Sequence, residues 1–249
     1  MDGITFSKNR LKEIAKLQQK KYRESQGLFI AEGEKVLDEL LDRNIEIIEV
    51  YSLKQINNKK IKVPVHIIDE ISMKKITSTE SASSIVTVAK QRKEDIALFK
   101  KLNRLILIDS IADPGNLGTI IRSSAAFGVE GIILYGDCVD LYSPKVIRSA
   151  CGNFFKIPIL KIKSKEDLEQ NFKNHIKVST SLSKVNNIDL EYCKQIEQYI
   201  IMFGAEARGL SPDLTSIAEK NIKLDMKNNV ESLNLAVCVS IILYELAKD

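Results

Sequence analysis

Residues 222–249 read IKLDMKNNVESLNLAVCVSIILYELAKD. An apolar strand ends near Leu224, a polar loop follows over 225–231, and Ser232-Leu233-Asn234 opens a helix over about 232–247. From Leu235 to Leu246 that helix is apolar nearly all round, through Ala236, Val237, Val239, Ile241, Ile242 and Leu243. Such a helix must be covered on several sides, by a sheet on one and by a protein interface on another. Polar residues therefore gather where a buried strand ends and a buried helix begins.

The same arrangement recurs upstream. In 198-QYIIMFGAEARGLSP-212 a strand ends at Gly204, and Ser211-Pro212 has the chemistry of a helix start. In 105-LILIDSIADPGNLGTIIRSSAAFGVEG-131 a strand ends at Asp109, Pro114-Gly115 turns the chain, and a helix begins near Asn116. Further strands are expected at 131–136, 157–162, 176–181 and 221–225, with helices near 116–128, 143–151, 164–174 and 211–219. Continuous apolar strands alternating with helices predict a parallel sheet covered on both faces.

The first hundred residues are organised differently. Leu11, Ile14 and Leu17 predict an amphipathic helix over about 8–23, and a second helix follows near 32–43. Strands are expected at 45–52, 63–69 and 85–90. The charged stretch 90–103 is the linker. The chain thus reads as two domains, 1–98 and 99–249.

The net charge of +4 is unevenly spread. Residues 1–102 hold 20 Lys+Arg against 15 Asp+Glu, and the remainder 17 against 18. Lys8, Arg10, Lys12, Lys16, Lys20, Lys21 and Arg23 crowd the start of the chain. A basic face of this kind neutralises phosphates or is simply a solvated helix surface. No apolar run is long enough to cross a bilayer, and residues 1–16 lack the apolar core of a secretion signal, so a cytoplasmic protein is expected. The four cysteines form no CxxC pair and there are two histidines, so no metal site is expected.

Two residues call for a partner or for close contact. Arg122 lies among Ile120, Ile121, Ala125 and Ala126, where a charge needs either a structural salt bridge or a functional role. Gly204 permits close backbone approach.

Taken in order, the three segments resemble the motifs of the SpoU/TrmH family of RNA ribose 2'-O-methyltransferases, in the SPOUT superfamily. Asn116, Gly118 and Arg122 match N-x-G-x-x-x-R. Glu206 and Gly209 match the second motif, with Ala205 where asparagine is usual. Met226, Ser232, Leu233 and Asn234 match the third, with Leu224-Asp225 replacing Ile-Pro and Asn228 replacing the loop glycine. Residues 7–41, with Lys21–Arg23 and Phe29–Gly33, resemble the substrate-binding domain preceding many such enzymes, although 80–89 lacks the usual Pro-Gln-Gly.

The resemblance implies a small α/β RNA-binding domain, then a parallel-sheet α/β domain with a C-terminal trefoil knot, an exception to the rule against knots. It implies S-adenosyl-L-methionine as cofactor, bent in the knot against Gly204, Leu224, Met226 and Leu233. It assigns Asn116, Arg122, Glu206, Ser232 and Asn234 to the reacting centre, and Lys8, Arg10, Lys20, Lys21 and Arg23 to RNA. A homodimer is implied. Ribosomal RNA is the expected substrate, with transfer RNA, or a catalytically silent RNA-binding dimer, as the alternatives.

Overall fold

The computed structural model describes residues 8–78, 83–181, 186–205, 208–228 and 232–248. The first part of the chain forms α1 (Lys8–Lys16), α2 (Lys20–Gln26), β1 (Leu28–Glu32), α3 (Glu34–Asp42), β2 (Ile47–Ser52), β3 (Val65–Ile67), α4 (Glu70–Ile76) and β4 (Ile85–Lys90). Then come α5 (Ile96–Phe99), β5 (Arg104–Asp109), α6 (Pro114–Ala126), β6 (Gly131–Tyr135), α7 (Pro144–Ser149), β7 (Ile159–Ile162), α8 (Lys165–Asn171) and β8 (Ile176–Thr180). The chain finishes with β9 (Asn187–Ile188), α9 (Leu190–Lys194), β10 (Tyr199–Phe203), α10 (Pro212–Ser216), β11 (Lys220–Ile222) and α11 (Leu235–Leu246).

Two compact units emerge. One takes the chain up to Lys93 together with Asp140–Phe155, and the other takes Glu94–Val139 and Lys156 onward. The linear boundary expected at 98/99 did not foresee the segment 140–155, which packs within the first unit although it lies between β6 and β7 in sequence.

The first unit holds a four-stranded sheet in the order β1-β4-β2-β3, antiparallel except for β2 and β3. Its core joins Leu11, Ile14 and Leu17 to Ile30, Tyr51, Met73, Ile76, Val86 and Val88. The expected helix over 8–23 is broken after Lys16, and the Arg23 side chain explains the break. Its Nη1 donates to the Leu17 carbonyl at 2.6 Å, satisfying an acceptor that a continuous helix would have used internally. Gly27, at φ 63°, closes α2 in the left-handed conformation. Helix α4 was missed from sequence, although Asp69 caps it by accepting from the Ser72 backbone at 2.7 Å. Segment 140–155 is held here by Asp140, which pairs with Arg23, and by Tyr142 and Phe155, whose rings lie 5.1 and 5.7 Å from Phe29.

The second unit holds a seven-stranded, wholly parallel sheet in the order β7-β6-β5-β10-β8-β11-β9. Leu105, Leu107, Ile133, Ile200 and Met202 pack on one face with Phe172 and Leu214. Ile106, Ile108 and Ile201 alternate with them and are equally buried, so both faces are covered. Ser123 of α6 and Ser240 of α11 share a hydrogen bond of 2.7 Å, which fixes those two helices together. The sheet grows in one direction from β5 through β6 and in the other from β5 through β10. That reversal marks a switch point, where the carboxyl ends of the strands open a crevice.

Candidate active site

The carboxyl ends of β8, β10 and β11 and the start of α11 enclose a cavity of about 370 Å³. Gly204, Leu224, Met226 and Leu233, four residues from two separate motifs, all line it, and so does Ser232. Thr180, Ser181, Leu210 and Cys238 complete much of the wall. The size suits a small organic ligand, and the lining is mostly apolar with a few polar groups.

Local chemistry explains why the chain folds this way. Ala205 and Gly209 form a tight two-way bridge, N to O at 3.0 and 2.8 Å. A Cβ at Gly204 would lie 2.0 Å from the Gly209 carbonyl carbon, so only glycine fits beneath that bridge. The backbone that approaches Gly204 so closely is thus the chain's own. Asp109, buried at the end of β5, accepts from the Ser211 backbone at 2.7 Å and from Ser110 Oγ at 2.8 Å. It ties the end of β5 to the far side of the same bridge. Asn228 has φ 58°, a left-handed conformation that asparagine adopts more readily than most residues other than glycine.

The starts of α6 and α11 meet. Asp113, not Asn116, caps α6: its carboxylate accepts from the Asn116 backbone at 2.7 Å, and Pro114 takes the first helical position. Asn116 is thereby moved inside the first turn, where its Oδ1 accepts from Asn234 Nδ2 at 3.2 Å. Asn234 also caps α11, accepting from the backbones of Ala236 and Val237 at 3.0 and 3.3 Å. Helix α11 accordingly starts at Leu235 rather than 232. One asparagine pair links two helix N-termini, both of which carry partial positive charge.

Arg122 stands elsewhere on α6. It is exposed, on a solvent stripe with Thr119 and Ala126, six residues beyond Asn116. The buried setting expected from its neighbours is corrected by the helical phase: Ile120 and Ile121 turn inward while Arg122 turns out. Among the described residues it makes no salt bridge, so its guanidinium is not consumed by a structural partner. Glu206 lies outside the described residues.

The cations expected to meet RNA divide sharply. Arg23 is 3% exposed, its guanidinium held by the Asp140 carboxylate and the Leu17 carbonyl. Arg10 reaches Glu49 at 2.6 Å and Glu13 at 2.9 Å. Burial opposes its charge, but the bonds to Glu49 and Glu13 and the attraction of Glu49 together raise its pKa above the ordinary arginine value. Both therefore serve the fold, which corrects their assignment to a free basic face. Lys20 is exposed, 3.8 Å from Glu24, and Lys21 is exposed with its ammonium 4.8 Å from the Tyr22 ring centre. The Lys8 side chain is outside the described residues.

Thr180, Ser181, Asp109 and Cys238 were missed from sequence. The first two carry the signal that found Gly204 and Leu224, polar or small residues at the end of a buried strand. Cys238 gave none, and burial raises its thiol pKa above the ordinary value. Among the described residues no cluster of three His, Cys, Asp or Glu side chains could hold a metal ion.

Known proteins carry the same pattern. The profile of the SpoU rRNA Methylase family matches residues 103–244, and that of the MRM3-like substrate binding domain matches 8–87. The 23S rRNA (guanosine(2553)-2'-O)-methyltransferase RlmP of Bacillus subtilis is 28% identical over 251 aligned residues, covering 99% of each chain. The AdoMet-bound rRNA methyltransferase from Sinorhizobium meliloti superposes with a TM-score of 0.85 at 28% identity, over 97% of this chain and 95% of that one. The SpoU methyltransferase AviRb from Streptomyces viridochromogenes, at 20% identity, shares the fold with a TM-score of 0.84 over 97% of each.

Proposed function

The chain belongs to the SpoU rRNA Methylase family, and from that premise we propose that it is an S-adenosyl-L-methionine-dependent RNA 2'-O-ribose methyltransferase acting on ribosomal RNA. One observation carries the reading. Gly204, Leu224, Met226 and Leu233 converge on a single cavity of about 370 Å³, with Ser232 in its wall and Asn234, two residues on, bonded to Asn116. The apolar lining, the few hydroxyl groups and the volume fit an adenosine joined to an amino-acid chain. These residues would hold the cofactor, which when bound supplies an electrophilic methyl group on its sulfonium.

The protein's own groups do the rest. Arg122, exposed and unpaired among the described residues, grips an RNA phosphate bidentately and orients the adjoining ribose. Its charge stabilises the alkoxide that develops at the 2'-oxygen. It is not assigned the proton, because an arginine is effectively never deprotonated in a protein. Asn116, Asn234 and Ser232 set the polar edge of the reacting centre, and Glu206 is kept as the carboxylate that orients substrate or pairs with arginine. Lys20 and Lys21 are kept as phosphate-binding cations, Lys8 with them.

Two finer features belong to the same proposal. Gly204 and Gly209 line one cavity with Leu224, Met226 and Leu233, and that convergence supports a trefoil knot at the C-terminal end of the chain. Val237, Ile241 and Tyr244 are 46%, 39% and 51% exposed at helical spacing on α11, which supports a homodimer through that face. No described helix is long and apolar enough to cross a membrane, and a ribosomal RNA substrate is consistent with an enzyme of the cytoplasm.

The test is direct. Titration calorimetry should show S-adenosylmethionine binding to the purified protein. Mapping of 2'-O-methyl groups in RNA from cells with and without the gene should reveal a ribosomal position that depends on it. A lost methyl group in transfer RNA instead would move the substrate class. No binding and no lost methyl group would remove the enzymatic reading in favour of a silent RNA-binding protein.

A further inference from the structure

Asn221, at the centre of β11, is 3% exposed. Its register partners are Ser179 on β8 and Asn187 on β9, so three polar side chains lie level across three parallel strands. At the matching depth β5, β6 and β10 carry only isoleucine, leucine and methionine. Asn221 Oδ1 accepts from Ser179 Oγ at 2.7 Å and from Ser181 Oγ at 2.8 Å. Its Nδ2 donates to Asn187 Oδ1 at 2.6 Å and to the Ser181 carbonyl at 3.3 Å. The amide therefore uses both its accepting and its donating ends, and it holds Ser181 by hydroxyl and carbonyl together.

Ser181 is where the chain leaves β8. Thr180, Ser181 and Ile222, the residue after Asn221, all line the cavity. Thr180 is fixed separately, its Oγ1 donating to the Met202 carbonyl at 3.0 Å. A buried amide must be fully hydrogen-bonded to offset its desolvation, a demand that an apolar side chain would not make. From each end this amide bonds Ser181, an exposed residue at the rim of the cavity. Asn221 is not among the residues that line the cavity, so its action runs through Ser181.

We propose that Asn221 is a positioning residue for cofactor binding: by clamping Ser181 it holds the Thr180–Ser181 wall in the shape the cofactor requires. The proposal rests on the cavity being the S-adenosylmethionine site. It predicts an effect on cofactor affinity rather than on methyl transfer, because Asn116, Arg122 and Asn234, assigned to the reacting ribose, lie on α6 and at the start of α11.

Asn221→Ala, Asn221→Asp, Ser181→Ala and Asn187→Ala separate the roles. Aspartate keeps both serine hydroxyl bonds but sets a carboxylate oxygen against the Ser181 carbonyl and Asn187 Oδ1. Calorimetric Kd for S-adenosylmethionine and for S-adenosylhomocysteine, the thermal midpoint, and KM and kcat are measured for each. Asn221→Ala and Asn221→Asp should raise Kd and KM roughly ten-fold, the loss of one or two net hydrogen bonds, with kcat at saturating cofactor within about two-fold of wild type. Ser181→Ala should raise Kd in the same direction, and its effect should not add to that of Asn221→Ala. Asn187→Ala, which frees the amide from β9 only, should lower the thermal midpoint and leave Kd nearly unchanged. A folded Asn221→Ala with wild-type Kd overturns the proposal, as does Asn187→Ala raising Kd equally. Should Asn221→Ala fail to fold, an unchanged Kd in Ser181→Ala overturns it. Wild-type protein that binds neither compound would instead remove the cavity's assignment, and the proposal with it.

Discussion

At the scale of single residues, the decisive contrast lies among the arginines. Arg122 is exposed and unpaired among the described residues, whereas Arg23 is buried on Asp140 and Arg10 is spread over two glutamates. Replacing Arg122 by alanine should lower kcat by a factor of roughly 100 or more, as for loss of a key electrostatic donor. Lysine should rescue little, because a point charge cannot grip phosphate in the fork geometry. Calorimetric affinity for S-adenosylmethionine should not move; near-normal turnover in the folded alanine variant would strip Arg122 of its role. The sequence showed that these arginines are there but not which are occupied, since Arg23 finds its carboxylate 117 residues away. His175 offers a second residue-scale test. Its Nε2 donates to the Leu102 carbonyl at 2.7 Å, and its buried Nδ1 has no hydrogen-bond partner among the described residues. Burial, aided by Lys177 and opposed by the Leu102 bond, pulls its pKa below the ordinary 6.5. The unfolded chain therefore takes up a proton before the folded one does. Stability should be unaffected well above pH 6.5 and should fall as pH drops below it, by at most about 1.4 kcal/mol per pH unit. Urea melts at pH 7.5 and 5.5 should differ more for wild type than for His175→Gln; identical slopes would show that the ring titrates normally.

Elements were far more legible than residues. β5, β6, β8 and β10 fall within a residue or two of their expected positions, because a strand buried on both faces writes an uninterrupted apolar run. Helix ends were less exact, and the caps say why. Asp113 precedes Pro114, so α6 starts two residues before Asn116, and Asn234 rather than Ser232 caps α11. β9 and α9 are too short to write a period in the sequence, and 140–155 looked like part of the second domain because its packing is set by Arg23 and Phe29, far away in sequence. Phase around a helix was also hidden. An all-apolar α11 carried no sign of which side faces out, and Val239 and Ile242 are in fact fully buried. The outward stripe is Val237, Ile241 and Tyr244, with Phe127 of α6 edge-on to Tyr244 at 5.7 Å. Val237→Glu and Ile241→Glu should therefore yield folded monomers in sedimentation velocity at micromolar concentration, with activity falling in step. Val239→Glu should instead unfold the second unit, since it buries an unpaired charge. A wild-type protein that sediments as a monomer at full activity would end the dimer proposal.

At the scale of the whole molecule, charge is what distinguishes the two ends of the sequence, 20 Lys+Arg against 15 Asp+Glu over residues 1–102 and near balance beyond. With Arg10 and Arg23 engaged in the fold, the exposed cations among the described side chains of α1 and α2 are Lys12, Lys16, Lys20 and Lys21. Lys16 and Lys21 lie 5.6 and 4.8 Å from the Tyr22 ring centre, so two of the four gather about one aromatic ring. Removing the first 93 residues would be a poor test of RNA binding, because it would uncover Tyr142, Phe154 and Phe155, all buried within the first unit. Neutralising the exposed lysines is cleaner. Lys20→Gln with Lys21→Gln should weaken binding to a ribosomal RNA fragment. The plot of log affinity against log salt should flatten by about 0.7–0.9 for each phosphate that is no longer neutralised. S-adenosylmethionine affinity and the thermal midpoint should stay as in wild type, since both ammonium groups are solvated. Arg23→Ala should do the opposite, destabilising the first unit by about 3–5 kcal/mol by leaving Asp140 buried and unpaired. Its salt slope, measured below the melting range, should match wild type. A double lysine variant with unchanged affinity from low to high salt would show that this face is only solvated surface, and RNA would then have to be held by cations elsewhere.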